Sequence, residues 1–189
     1  MSTLILRPNG NVSNGQLTNV SDNVSSYTNI DEETLSTADY NRSWTFSASA
    51  WMTDIYSLPN HTTESGTINS VTVKGYCSIV DGANGTGGAT YVDPALKIGS
   101  TIYLGEGQTL SKSTTTIYSK TWLTNPATSS AWGSDWSVID NLMAGDSLYS
   151  AYGGLKDWYS SGICYQFWVE VDYTEGGGSP IVIPQIQIF

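Results

Sequence analysis

Histidine and basic residues are scarce in this 189-residue sequence. It contains one His and 7 Lys and Arg against 17 Asp and Glu, which gives a formal net charge of −10. Proteins that bind nucleic acid need clustered basic side chains to displace counterions, so we expect no nucleic-acid partner. A surface that faces solvent or associates with cations fits this charge better.

Long apolar runs are also lacking. No stretch approaches the roughly 18 residues that a membrane-spanning helix needs, and the opening MSTLILRPNG has no apolar core of a secretory signal. We therefore expect no membrane partner, and synthesis and assembly in the cytoplasm.

Residues that could form a catalytic site or a zinc site are also scarce. His61, the single histidine, lies in the turn SLPNHTTESG without a nucleophile motif, and one His with two separated Cys does not supply a zinc site. Glu170 and Asp172, about 6–7 Å apart at alternate strand positions, could form a carboxylate pair for glycoside cleavage, but acids placed in this way are more often solubility residues. We expect no catalytic residues and a protein that is not an enzyme.

The two cysteines fall in separate predicted strands. Alternation places Cys77 inward with Val71 and Val73, and Cys164 opposite to the main apolar face of its strand. This difference disfavours a disulfide unless a β-bulge changes the phase of one strand.

What the sequence has is the composition of an all-β protein: much Thr, Ser, Tyr, Trp and Gly, and little Ala, Leu or Lys. Strand-like runs recur every 8–12 residues or so, which predicts a β-sandwich of jelly-roll type with one short helix and extended terminal arms. The run 163–173, ICYQFWVEVDY, is predicted as the central strand, with Ile163, Tyr165 and Phe167 on one apolar face. A slip of alternation near Asn69 predicts a bulge or strand start there.

Three segments organise the chain in this interpretation. Residues 1–28 form an N-terminal strand and extended arm, residues 29–175 the sandwich, and residues 176–189 a strand linked by glycines. The helix is predicted within SDWSVIDNLMAGDS, with Ser134 as N-cap, Gly145 just past its end, and Trp136, Ile139 and Leu142 or Met143 on one face.

Two kinds of binding are considered. Hard cations prefer oxygen ligands, so the acidic loop is considered as a calcium site, although no EF-hand pattern is present. Its acids are Asp31, Glu32, Glu33 and Asp39. No other cofactor is expected. Trp and Tyr side chains stack on sugars or form protein interfaces. Trp44, Trp51 and Trp168 fall in strands and are expected in the core. The aromatic residues near loops are the candidates for an interaction surface: Trp132, Tyr152, Trp158 and Tyr159.

The C-terminal segment 180–189 is predicted to be an assembly strand. It is strongly β-forming and apolar, Pro184 confines it to a sheet edge, and three preceding glycines allow it to reach a neighbouring subunit or to fold back onto its own sheet. The residues that would be buried by this strand are Ile181, Ile183, Ile186, Ile188 and Phe189.

Several stretches resemble a domain common in structural proteins of tailed phages and related viruses: NIDEETLSTADY, MTDIYSLP with SGTINSVTVKGYCS, NPATSSAWGSDWSVIDNLMAG, and ICYQFWVEVDY. The resemblance covers most of residues 29–173. It implies a jelly-roll sandwich on a virion, as a capsid decoration, minor head or tail-associated protein, whose partners are copies of itself and other virion proteins. The alternatives are a carbohydrate-binding module of an adhesin or tail fibre, with a glycan as partner, and a subunit of an extracellular filament.

Overall fold

Twelve β-strands run through the described part of the chain. A computed structural model describes residues 1–12, 18–19, 27–43, 48–81, 88–112, 114–154 and 159–176. The strands are β1 (Ser2–Leu6), β2 (Gly10–Asn11), β3 (Thr18–Asn19), β4 (Asn41–Arg42), β5 (Ala50–Ser57), β6 (Gly66–Asp81), β7 (Tyr91–Ile98), β8 (Thr101–Leu104), β9 (Gln108–Thr109), β10 (Thr116–Trp122), β11 (Met143–Tyr152) and β12 (Tyr159–Glu175). A 3₁₀ turn spans Tyr27–Asn29, and the helix α1 spans Ser137–Asp140.

The strands form the two sheets of a sandwich, and every pair among the described residues is antiparallel. Sheet A contains β10, β6, β12, β1, β4 and β3, and sheet B contains β2, β5, β11, β7, β8 and β9. The hairpin β11–β12 joins them at one end, where Ala151 pairs with Ser160. The predicted all-β sandwich is confirmed.

The prediction of a central strand at 163–173 is also confirmed. β12 pairs along most of its length with β6, and its other edge is divided between β1, β4 and β11. Between the sheets, Val71 and Phe167 of sheet A share the core with Leu96 and Leu148 of sheet B, all at most 1% exposed. Burial of each such side chain contributes about 1.5–3 kcal/mol, so this contact holds the sheets together.

Two bulges interrupt the β6–β12 ladder. Asp172 pairs with Ser70 but Tyr173 pairs with Ile68, so Asn69 is the extra residue, as the slip of alternation predicted. The second shift lies between Cys164 and Gln166 and makes Tyr165 the extra residue. A bulge reverses the facing of the residues before it. The prediction that Ile163 and Tyr165 share the core face with Phe167 is therefore wrong.

The bulge also places the two cysteines directly opposite each other on the core face. Cys77 pairs with Cys164 in register, both are fully buried, and both are free thiols. The expected absence of a disulfide agrees with the structure, but the difference in facing on which it depended is wrong.

The helix is shorter than predicted. α1 contains four residues, and the chain enters β11 at Met143, so Met143 and Gly145 are strand residues. Gly145 has no space for a side chain, because a Cβ there would lie 1.8 Å from the carbonyl oxygen of Asp54 on the neighbouring strand. The predicted apolar face is correct for Trp136, Ile139 and Leu142, which are all buried.

The ends of the chain are described in part. β1 confirms the short first strand and pairs with β12. The predicted assembly strand, with Ile181, Ile183, Ile186, Ile188 and Phe189, lies outside the described residues, and the three-segment division stays a prediction. Within the described ranges, no helix has the length and apolarity needed to cross a membrane.

Candidate functional site

The loop aromatics that were predicted as an interaction surface do not form one surface. Trp132 is 4% exposed, and its Nε1 donates a hydrogen bond of 2.8 Å to the carbonyl oxygen of Trp122. The prediction for Trp132 is therefore wrong. Tyr152 and Tyr159 are half-buried and pair with each other at the end of the β11–β12 hairpin, whereas Trp158 lies outside the described residues.

The acids considered for calcium do not assemble into a metal site. No group of three or more His, Cys, Asp or Glu side chains in the described ranges is arranged to hold a metal ion. Burial raises the pKa of Glu32, and the charges of Asp31 and Asp39 raise it further, while Glu33 is exposed. Calcium binding by these residues stays a prediction.

The remaining titratable candidates contact neighbouring side chains. His61 contacts Asp140 at 2.7 Å, which lowers the pKa of that carboxyl. Glu170 accepts a hydrogen bond of 2.9 Å from Trp168 Nε1 and pairs with Lys74 at 2.8 Å. The contact of Asp140 with His61, and those of Glu170 with Trp168 and Lys74, give these two acids a structural role.

Asp172 also accepts hydrogen bonds from neighbouring side chains. Its Oδ1 accepts a hydrogen bond of 2.7 Å from Thr3 of β1, and its Oδ2 accepts one of 3.4 Å from Ser70 of β6. Asp172 therefore links β1, β6 and β12 of sheet A. Both Glu170 and Asp172 are thus bound to neighbouring side chains of that sheet.

An aromatic surface feature lies on sheet B, within the described part of the chain. Trp51 of β5, Tyr149 of β11 and Tyr91 of β7 stand side by side on the face of the sheet that points away from the core, and we call them the aromatic row. Their ring centroids are 5.3 Å apart for Trp51–Tyr149, 5.8 Å for Tyr91–Tyr149 and 6.3 Å for Trp51–Tyr91. Trp51 is 42% exposed, and both tyrosines are half-buried. The expectation of Trp51 in the core is wrong.

Antiparallel register creates this row. Tyr149 pairs with Trp51 across β11–β5, and Leu148 pairs with Val92 across β11–β7, which brings Tyr91 beside Tyr149. Because successive side chains on a strand alternate between faces, the neighbours Leu148 and Val92 enter the core while the aromatic rings point outward.

A polar row lies beside the aromatic row on the same face. Thr53, Ser147 and Asp93 occupy the next outward positions of β5, β11 and β7 and pair with one another in register. Two residues along a strand span about 6–7 Å, so this polar row is about the width of one sugar ring from the aromatic row. Thr53 Oγ1 and Ser147 Oγ share a hydrogen bond of 2.7 Å.

Asp93 is the unusual member of the polar row. It is 8% exposed, its Oδ1 is buried, and that oxygen has no hydrogen-bond partner among the described residues. Burial raises the pKa of this carboxyl. Gly107, in the turn between β8 and β9, borders the site: a Cβ there would lie 3.4 Å from Asp93 Oδ1 and 3.9 Å from Trp51 Cη2. The turn therefore forms one wall beside both rows.

Sheet A carries a different concavity on its outer face, a groove of about 270 Å³. Tyr76 and Trp168 contribute the aromatic part of its lining, with ring centroids 5.7 Å apart. Trp168 is only 9% exposed and its Nε1 is bound to Glu170, so this groove offers a stacking ligand less aromatic surface than the aromatic row does.

Sequence reasoning missed all three residues of the aromatic row. Tyr91 lies in a strand-like run, where an aromatic residue is usually buried, and Tyr149 lies in a stretch that the sequence indicates only as a hairpin or loop before the central strand. The signal that could have found them is alternation: Tyr91 and Asp93 share a face, and so do Ser147 and Tyr149.

This fold and site define an all-β sandwich protein with an exposed aromatic row on one sheet. No protein family model matches the sequence, and no curated protein sequence matches it. Among solved structures, the CBM22-1 xylan-binding domain of Xyn10C from Paenibacillus barcinonensis aligns with 90% of this chain and 94% of that chain, at a TM-score of 0.43 and 8% identity. A similarity of this size carries over neither function nor ligand.

Proposed function

We propose that this protein is a carbohydrate-binding module whose sugar-binding surface is the aromatic row with its adjacent polar row. The observation that carries the proposal is the juxtaposition of three outward-facing aromatic rings with hydroxyl and carboxyl groups about one sugar ring away. A sugar ring has an apolar C–H face and a rim of hydroxyls, so it needs both kinds of surface side by side.

The physical basis of binding is stacking combined with hydrogen bonding. The Trp51 indole is 42% exposed, and a stacked ligand would remove that apolar surface from water. Thr53 and Ser147, which is 1% exposed, place a hydrogen-bonded pair of hydroxyls beside the rings, and the buried Asp93 Oδ1 has no donor among the described residues. A rigid sheet fixes all of these groups before the ligand arrives, which lowers the entropic cost of binding.

A panel of soluble oligosaccharides and insoluble polysaccharides tests the proposal by calorimetry and by pull-down. Removal of an aromatic side chain that stacks on a nucleobase costs roughly 1–3 kcal/mol. If stacking on a sugar is worth as much, Trp51→Ala weakens sugar binding about 5- to 150-fold. Tyr76→Ala is the matched control, because it removes an aromatic ring from the groove on sheet A. The proposal fails if no sugar binds, or if Tyr76→Ala weakens binding while Trp51→Ala does not.

A second candidate is a virion structural protein assembled in many copies, as the sequence resemblance implies. The structural observation that favours it is a set of exposed apolar side chains on β8, on β10 and just after β10, since exposed apolar groups mark protein contacts. They are Ile102, Leu104, Ile117 and Leu123, which are 43%, 50%, 44% and 73% exposed.

Mass spectrometry and electron microscopy of purified particles test this second candidate, and absence of the protein from particles would exclude it. Deletion of residues 176–189 tests the assembly strand. The candidate predicts a folded, monomeric protein that no longer assembles, whereas unchanged assembly would contradict the role of this segment.

A further inference from the structure

The charge distribution of the two rows indicates which class of glycan fits. We propose that the glycan bound here carries a free, protonated amine, and that the carboxylate of Asp93 pairs with this amine. The inference rests on the proposed sugar-binding function and goes beyond it by naming the ligand class, an amino sugar that is not N-acetylated.

One oxygen of the Asp93 carboxyl, Oδ1, has no hydrogen-bond partner among the described residues. A carboxylate removed from water is costly unless it is paired or hydrogen-bonded. In this site Asp93 Oδ1 has no partner among the described residues, and its neighbour Ser147 already shares a hydrogen bond with Thr53. An ammonium group supplied by a ligand would pair with the charge and supply N–H donors at once.

The aromatic rings also favour a cationic ligand. A cation is attracted to the face of Trp or Tyr when it lies within about 6 Å of the ring centroid. Because the three centroids are separated by only 5.3 to 6.3 Å, one cation over the middle of the aromatic row can satisfy that distance for all of them. The amine of a stacked sugar therefore interacts favourably at both rows.

The charge of the protein around the two rows is mainly negative. Neither row contains Lys or Arg, Glu106 is exposed in the turn just before Gly107, and the whole chain carries a formal charge of −10. Lys97 is on the same strand as Asp93 but four residues away, or about 13 Å. This field attracts cationic ligands and disfavours acidic glycans such as those built from uronic acids.

Three oligosaccharides of equal length and the same β-1,4 linkage provide the test, because they differ only in the substituent at C2: a hydroxyl (cello-oligosaccharide), a free amine (deacetylated chito-oligosaccharide) or an N-acetyl group. Calorimetry is done at low salt and at a pH where the amine is protonated. We expect the free amine to bind at least about tenfold more tightly than the other two, a difference of about 1.4 kcal/mol. This preference should decrease as salt is added.

Variants separate this inference from the proposed function. Asp93→Asn keeps the shape of the side chain but removes its charge, and should abolish the preference for the amine while weak binding of all three sugars remains. Trp51→Ala should weaken all three. Circular dichroism and thermal melting verify that each variant is folded, and Asp93→Glu, which restores the charge, should restore part of the preference.

Failure of the sugar-binding function and failure of the amine inference give different experimental results. If the three sugars bind equally and Trp51→Ala weakens all of them, the sugar-binding function stands and the amine inference is wrong. If Asp93→Asn retains the full preference, the carboxylate does not pair with the amine, and the inference is also wrong. If no sugar binds to the natural protein, both the function and the inference are wrong.

Discussion

Trp51 and Tyr149 face each other across β5 and β11 on the solvent side of the sandwich, with ring centroids 5.3 Å apart. Other strand aromatics among the described residues contribute to the core, as Tyr56 and Phe167 do at 1% exposure each. An indole left 42% exposed on a strand, instead of in a loop, gains nothing for folding from its exposed part. Under the proposed function, a bound sugar would cover this exposed surface.

A substitution at Gly107 can block the proposed site without changing any residue of the aromatic row or the polar row. The position is exposed and its backbone is not left-handed, and a Cβ there meets its neighbours only at 3.4 and 3.9 Å. Gly107→Ala should therefore keep both stability and sugar affinity. Gly107→Leu extends toward Trp51 and Asp93 and should lower sugar affinity about tenfold or more, as measured by calorimetry. Equal affinity for the two variants would show that ligands do not enter beside this turn.

Asp146 should make the stability of the fold depend on pH. It pairs in register with Asp54, both of its carboxyl oxygens are buried without partners among the described residues, and burial, reinforced by the charge of Asp54, raises its pKa from 3.8 to about 8. Because the folded pKa is raised, the stabilising contribution of the protonated acid is fully present below pH 3.8 and is lost as the pH rises toward about 8.

The change Asp146→Asn isolates this effect. Between about pH 4 and pH 8 the free energy of unfolding of the natural protein should fall, relative to the variant, by about 1.4 kcal/mol per pH unit. Urea unfolding at several pH values measures the difference. A constant difference across this range would mean that Asp146 does not hold its proton in the folded state.

The thiols of Cys77 and Cys164 should be protected as long as the protein is folded. Both are fully buried, and the hydrogen bond between the two thiols, together with burial, raises the pKa of Cys164 well above its ordinary value. Since the thiolate is the reactive form, neither thiol should react with a thiol reagent under native conditions, and both should react after denaturation. Rapid labelling of one thiol in the native protein would contradict the described packing.

Trp132 tests whether the loop aromatics are structural. Trp132→Phe removes the donor to the carbonyl oxygen of Trp122, and a buried acceptor without a partner costs roughly 1–3 kcal/mol. The variant should lose stability by about that amount and bind sugars as the natural protein does. Loss of sugar binding by the folded variant would instead support the surface that the sequence predicted.

The sequence predicted the class of fold because composition and strand spacing follow directly from the chemistry of a sandwich. It could not predict the site, because hydrophobicity does not say which face of β5 is buried. The core face carries Met52, Asp54 and Tyr56, and the outer face carries Trp51, Thr53 and Ile55. Each face has two apolar residues and one polar residue, so hydrophobicity does not distinguish the two faces. The pairing of β5 with β11 determines which face is turned toward the core.

Bulges limited the sequence prediction in a second way. The shift at Asn69 was visible because it interrupts an alternating run, whereas the one at Tyr165 lies in a run where both faces carry large or apolar residues. A one-residue shift exchanges faces, so a bulge that leaves no trace in polarity reverses the predicted orientation of Cys164 and Ile163.

The indole N–H signals of the protein test the central claim most directly. In a two-dimensional ¹⁵N NMR titration with the amino oligosaccharide, the signal of Trp51, assigned with Trp51→Phe, should shift progressively and saturate. The indoles of Trp132, Trp136 and Trp168 donate hydrogen bonds inside the fold and serve as internal controls whose signals should stay in place. Saturable binding that leaves the Trp51 signal unmoved, or no shift of any signal with the three sugars, would contradict the assignment of the aromatic row as a sugar-binding surface.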